Sequence, residues 1–244
     1  MYVNLADGVT MRYVDLCPQA PADAVPVLLL HGFGSNFAMN WRATGWTQTF
    51  DAAGLRVLGP DLRGHGGSGK PAGEEAYLPV RFVADLLAML DELEVEQVDV
   101  VGYSMGSRLV WEWALRAPER LRSVVLGGFG SGDAFQDTDL SDPGRGDTPF
   151  DHAFRTVSTL PGNDAAALVD CARGQASCPF RPDPPVTGLP LMTIAGSQDV
   201  LATGAEKLAE ICGGHYVEVP ARDHTSAVSS RVFKQAVLDF LTQP

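Results

Sequence analysis

A serine hydroxyl is a weak nucleophile until the backbone thrusts it forward and a neighbouring base takes its proton. The run Gly102-Tyr103-Ser104-Met105-Gly106 has the spacing for the first requirement. It follows the apolar residues 98–101 and precedes a helical pattern, which is the strand–turn–helix setting of a nucleophile elbow. Glycine on each flank permits a turn so tight that a side chain there would strike neighbouring backbone. Ser104 is then forced outward, and the following helix N-terminus favours negative charge developing beside it. Histidine is the commonest such base, and the chain has five: His31, His65, His152, His215 and His224. Two other glycine patterns lead nowhere. Residues 64–70 spell G-x-x-x-x-G-K, but Pro71 stands where a phosphate loop needs Ser or Thr. Gly32-Phe33-Gly34 opens a dinucleotide fingerprint that fails at Phe37.

Elements that could hold these residues alternate along the chain. Residues 2–16 read as two short strands around Asp7-Gly8. The continuous apolar run at 25–30 reads as a strand covered on both faces, and the apolar-rich segments 55–59, 98–101, 121–126, 189–195 and 216–219 read as further strands. Helical spacing marks 41–53, 78–93, 107–117, 206–211 and 231–241. This alternation predicts an α/β fold with a mostly parallel sheet and helices on both faces. Residues 127–188 break the rhythm. They contain no strand, several glycines and prolines, and two short helical patterns at 150–160 and 164–172. About 60 residues between strands is too many for a passive loop, and Phe150, Phe154, Val157 and Leu160 are apolar enough to fold as a lid.

With these features in view, the sequence resembles the α/β-hydrolase superfamily over nearly its whole length. Beside the elbow, His31-Gly32-Phe33-Gly34 is similar to the family's oxyanion loop, and Asp61-Leu62-Arg63-Gly64-His65-Gly66 to its D-x-R-G-x-G turn. The resemblance implies a mostly parallel eight-stranded sheet with a short helical cap inserted after strand six. The core would then be 1–128 with 189–244, and the cap 129–188. It also implies the order nucleophile, acid, base. Ser104 would be followed by Asp199, the end of a G-x-x-D match at Gly196-Ser197-Gln198-Asp199, and by His224 after the last strand. Asp133 is the rival acid, after the sixth strand; Asp223 adjoins His224 too closely to reach its Nδ1. Asp223 also stands where the family often has glycine. His31 and His65 would be structural. The backbone N–H groups of Phe33 and Met105 would form the oxyanion hole, and Phe150, Phe154, Val157 and Leu160 would line the acyl pocket.

The implied chemistry is hydrolysis of small or medium carboxylic esters through an acyl-enzyme, with no metal or organic cofactor. Thioesters, C–C bonds in acids that carry a carboxylate, and slow turnover in a small-molecule receptor remain open with the same residues. For the carboxylate, Arg108, Arg155 and Arg173 are the candidate anchors. A small molecule is the expected partner, since 18 basic against 30 acidic residues give a net charge of −12, which repels nucleic acid and anionic lipid. No apolar run is long enough for a bilayer and no basic leader precedes the first strand, so the expected location is cytoplasmic. Cys17, Cys171, Cys178 and Cys212 lack zinc-ligand spacing and are expected as free thiols.

Overall fold

The computed structural model describes residues 1–16, 21 and 24–242. Eight strands form one sheet in the order β1-β2-β4-β3-β5-β6-β7-β8. They are β1 (Tyr2–Asn4), β2 (Thr10–Leu16), β3 (Val27–Leu30), β4 (Val57–Pro60), β5 (Val98–Tyr103), β6 (Leu121–Gly127), β7 (Leu191–Gly196) and β8 (His215–Val219). The pairs β1–β2 and β2–β4 are antiparallel, and every other pair is parallel. Cys17 lies outside the described residues.

Alternate residues of a strand face opposite sides of its sheet, and two cores result. Leu28, Leu30, Val98 and Val100 pack with Phe82, Leu86 and Leu90 of α2 (Pro79–Glu92) and Leu109 and Val110 of α3 (Met105–Arg116). Val27, Leu29, Val101 and Val125 pack on the other side. Their partners there are Trp46 and Phe50, from one helix at residues 46–52, and Phe233 and Val237, from a second at residues 231–241. The first of these, α1 (Trp46–Ala52), is shorter than its apolar pattern suggests. Gly45 takes φ +85° and separates it from a π-helical turn at Ala38–Arg42.

Residues 128–190 contain no strand but two helices, α4 (Pro149–Val157) and α5 (Ala165–Ala176). Thr148 caps α4 by accepting the Asp151 N–H, and Asp151 bonds back to the Thr148 N–H, a reciprocal box that starts the helix cleanly. Asp164 caps α5 through the Ala167 N–H. Phe150, Phe154, Leu168 and Ala172 give the pair a small core of its own. The chain closes with α6 (Ala205–Cys212) and α7 (Arg231–Leu241). Among the described residues, no helix is long and apolar enough to cross a membrane.

Candidate active site

Parallel pairing delivers five loops to one edge of the sheet. Leu30 pairs with Gly102, Tyr103 with Gly127, and Gly127 with Ile194. The segments after β3, β5, β6, β7 and β8 therefore emerge side by side. The chain runs from β3 to β4 on one side and returns as β5 on the other, so the crevice between β3 and β5 is the switch point where open α/β sheets bind ligands.

At the end of β5, Ser104 has φ +54° and ψ −116°, a region where a non-glycine residue costs about 1–3 kcal/mol. Backbone on both flanks enforces it. A Cβ on Gly102 would lie 2.6 Å from the Ser107 nitrogen, and one on Gly106 would overlap the Leu30 carbonyl oxygen. The Ser104 N–H donates to the Gly127 carbonyl at 2.8 Å, tying the elbow to β6. Met105 opens α3, where the first N–H groups have no partner within the helix.

Across the crevice, Asp199 follows β7 and His224 follows β8. Nδ1–H of His224 donates to both carboxylate oxygens of Asp199, at 3.0 and 2.9 Å. The acceptor-only carboxylate fixes the tautomer, so Nε2 carries the lone pair. The Asp199 side chain is fully buried, and the N–H groups of Leu201 and Ala202 also serve its Oδ1. Asp133 meets no histidine; its Oδ1 accepts the Phe135 N–H. Asp223 bonds within its own turn, where the hydroxyl and N–H of Ser226, followed by Thr225, hold its carboxyl down at about 2. That turn presents His224, whose carbonyl accepts the Tyr103 hydroxyl while the Tyr103 ring packs on its imidazole at 5.3 Å.

Ser104 and His224 border one cavity of about 430 Å³, within the usual range for small-molecule sites. Among the described residues no protein group hydrogen-bonds Ser104 Oγ, and catalytic contacts of this kind often tighten only around substrate. Phe33, Met105, Phe150 and Val157 also border the cavity. Phe154 and Leu160, expected there, do not. Along α4 the stripe Phe150, Ala153 and Val157 faces the cavity, and Phe154, one position further round, packs with Leu168 and Ala172. Leu160 lies beyond the helix, in a turn where its N–H reaches the Val157 carbonyl. Arg155 and Arg173 also stay away. Arg155 donates to the Gly144 and Gly146 carbonyls, and Arg173 to those of Leu140 and Ser141.

Comparison with known proteins identifies the family that shares this fold. The family model for the alpha/beta hydrolase fold matches residues 25–170, more than half of the chain. The chain belongs to the α/β-hydrolase family. Epoxide hydrolase A of Mycobacterium tuberculosis is 38% identical over 120 residues, 49% of this chain and 35% of that protein. The 2-hydroxymuconate semialdehyde hydrolase of Pseudomonas putida is 38% identical over 106 residues, 43% of this chain and 37% of that protein. The chain thus spans little more than a third of the length of either relative. The enol-lactonase structure from Burkholderia xenovorans superposes over 100% of both chains with a TM-score of 0.78 at 22% identity, a likeness of fold.

In this α/β-hydrolase the remaining motif residues brace the crevice. His31 Nε2 accepts the Leu62 N–H at 2.9 Å and Nδ1 donates to the Gly32 carbonyl at 2.8 Å, so both nitrogens are engaged. Burial works against the Asp61 carboxylate, yet the N–H groups of Gly67 and Phe37 hold it below its usual range. Arg63 forks onto Asp85 at 2.6 and 2.5 Å. Burial, followed by the neighbouring His31, pushes the His65 imidazole down to about 3. His152 and His215 do not border the cavity. Cys171, Cys178 and Cys212 are free thiols, and burial pushes the Cys171 thiol up, which suppresses its reactivity. Among the described residues, no group of three or more His, Cys, Asp or Glu side chains could hold a metal ion. Sequence spacing missed Phe129, Phe135, Gln175 and Phe180 as walls. Phe129, Phe135 and Phe180 lie in loops with no period to follow, and Gln175 lies in the last turn of α5, beyond the helical pattern at 164–172. Phe129 directly after Gly127-Gly128 at a strand end is a usable signal.

Proposed function

We propose that this protein is a serine hydrolase that cleaves small or medium carboxylic esters through an acyl-enzyme. The observation that carries this reading is the His224 imidazole, oriented by buried Asp199 and bordering the same cavity as strained Ser104. His224 Nε2 takes the Ser104 proton as Oγ adds to the acyl carbon, and Asp199 stabilises the imidazolium. The oxyanion is received by the N–H groups of Phe33 and Met105, donors already in place before charge develops. Collapse expels the alcohol, which takes the proton back from His224. Water, deprotonated by the same imidazole, then releases the acid.

The nucleophile itself separates this reading from the activity named for the epoxide hydrolase relative. Serine opening an oxirane would leave an ether, which has no carbonyl for water to attack, so turnover would stop. An acyl-serine keeps its carbonyl and can be hydrolysed.

Ser104→Ala should abolish both turnover of p-nitrophenyl acyl esters and labelling by a fluorophosphonate, at a cost of about 10⁴–10⁶ in kcat, while the protein stays folded. A panel adding thioesters and a dienoic ketone ranks ester, thioester and C–C cleavage. Many cycles per protein support an enzyme, and a single burst would instead mark a receptor. Labelling of Ser104→Ala at the wild-type rate would overturn the assignment.

A further inference from the structure

The cavity walls are mainly aromatic and aliphatic, with Phe33, Phe129, Phe135, Phe150 and Phe180 among them. One guanidinium interrupts them. Arg108 stands on α3 four residues past Ser104, about 6 Å further along the helix axis, and borders the same cavity. Its side chain is only 13% exposed. Apart from His224, it is the one basic residue bordering the cavity among the described residues.

A guanidinium held in such a place needs acceptors, and those of Arg108 are loose. Nη1 donates to Glu112 at 3.2 Å and Nη2 to the Cys178 carbonyl at 3.1 Å, both longer than the 2.7–2.9 Å usual for charge-assisted bonds. No protein group among the described residues accepts from its Nε. Glu112 is moreover shared, since its other oxygen takes Arg116 Nε at 2.5 Å. Two guanidinium groups on one carboxylate leave an uncompensated positive charge. The Phe180 ring, 5.6 Å from the Arg108 Cζ, holds the fork against one wall. Among the described residues the one carboxylate bordering the cavity, Asp133, is solvent-exposed, so water screens its repulsion of an anion.

We propose that Arg108 is an anion subsite and that the preferred substrates carry a free carboxylate a few atoms from the scissile carbonyl, as in half-esters of short dicarboxylic acids. This rests on the hydrolase reading for the reaction, though not for the binding. A planar carboxylate offers the guanidinium two acceptors at once and matches its fork better than the separate Glu112 and Cys178 contacts do.

The test compares the p-nitrophenyl half-ester of adipic acid with the same molecule methylated on its free acid. Wild-type protein should prefer the half-ester. Arg108→Met should lower the ratio of kcat/KM for half-ester over methylated ester by about 10–100-fold, mainly through KM. Arg108→Lys, which keeps the charge and loses the fork, should fall between. An unchanged ratio in Arg108→Met, or no wild-type preference, would overturn the subsite. Binding is read separately through the Tm shift given by adipate and by its neutral diamide. Adipate should stabilise wild type more than the diamide does, and Arg108→Met should erase the difference. If wild type cleaves neither ester yet shows this difference, the hydrolase reading fails and the subsite stands; equal shifts from the two ligands would remove the subsite as well.

Discussion

The cavity has two kinds of wall. The sheet edge is built by backbone against backbone. Gly102 and Gly106 leave no room for a methyl group beside Ser107 and Leu30, and ladder pairing satisfies the main chain of β3, β5, β6 and β7 without help from side chains. Side chains at that edge are therefore free for chemistry. The insert of residues 128–190 has no ladder, and its side chains serve its own main chain instead. Asp151 receives the Gly144 and Thr148 N–H groups, Arg155 and Arg173 staple four carbonyls, and Asn163 bridges the Gly34 and Val157 carbonyls. These charged side chains of the insert thus serve its folding, whereas Arg108 on α3 and His224 after β8 border the cavity. The two walls meet at Phe33. Its ring lies 5.3 Å from Phe150 and 6.2 Å from Phe154, while its backbone belongs to the loop after β3.

If the sheet edge alone carries the reaction, the largest effect belongs to the acid. Asp199→Asn should cost on the order of 10⁴ in kcat, and Asp133→Asn should keep most activity, both read on the same ester. The reverse result would move the acid to the loop after β6. A smaller effect should come from the insert through Phe33. Asn163→Ala removes the clasp on the Gly34 carbonyl, and the displaced Phe33 N–H should lower kcat about 10–100-fold with little change in KM. Binding of a boronic-acid analogue should weaken in parallel. A change in KM alone would confine the insert to substrate selection.

Within α4 the two faces should separate. Val157→Ala enlarges the cavity and should shift acyl-length preference by about 1–3 kcal/mol per methylene. Phe154→Ala should cost about 3–5 kcal/mol of stability and leave the preference unchanged, as a chain-length series and thermal melts would show. The last effect, absent at neutral pH, concerns His65. Its folded pKa, pushed down to about 3 from 6.5, means that the unfolded chain takes up the proton first. Its contribution to stability is full above about pH 6.5 and drains away as the pH falls toward 3. His65→Gln should flatten the fall of Tm over that window, and parallel Tm curves for the two proteins would reject it.

Much of the sheet edge that presents Ser104 was legible in the sequence because local backbone physics dictates it. A tight turn between a buried strand and a helix demands Gly102 and Gly106, and that demand singles out Ser104 without any partner in view. The alternation of apolar runs likewise implied a parallel sheet with two covered faces. Asp199 and His224 were legible only with the family's order of residues as a guide, since their value lies in meeting each other across 25 residues of chain. Tertiary structure alone decided the rest. Helical spacing made Phe150, Phe154, Val157 and Leu160 look equivalent, but the end of α4 and its docking on α5 leave two facing the cavity and two facing away. Composition could not separate Arg108 from Arg155 and Arg173 either. Which guanidinium is consumed by carbonyls and which borders the cavity depends on loops without periodic pattern, and only packing brings those loops within hydrogen-bond reach.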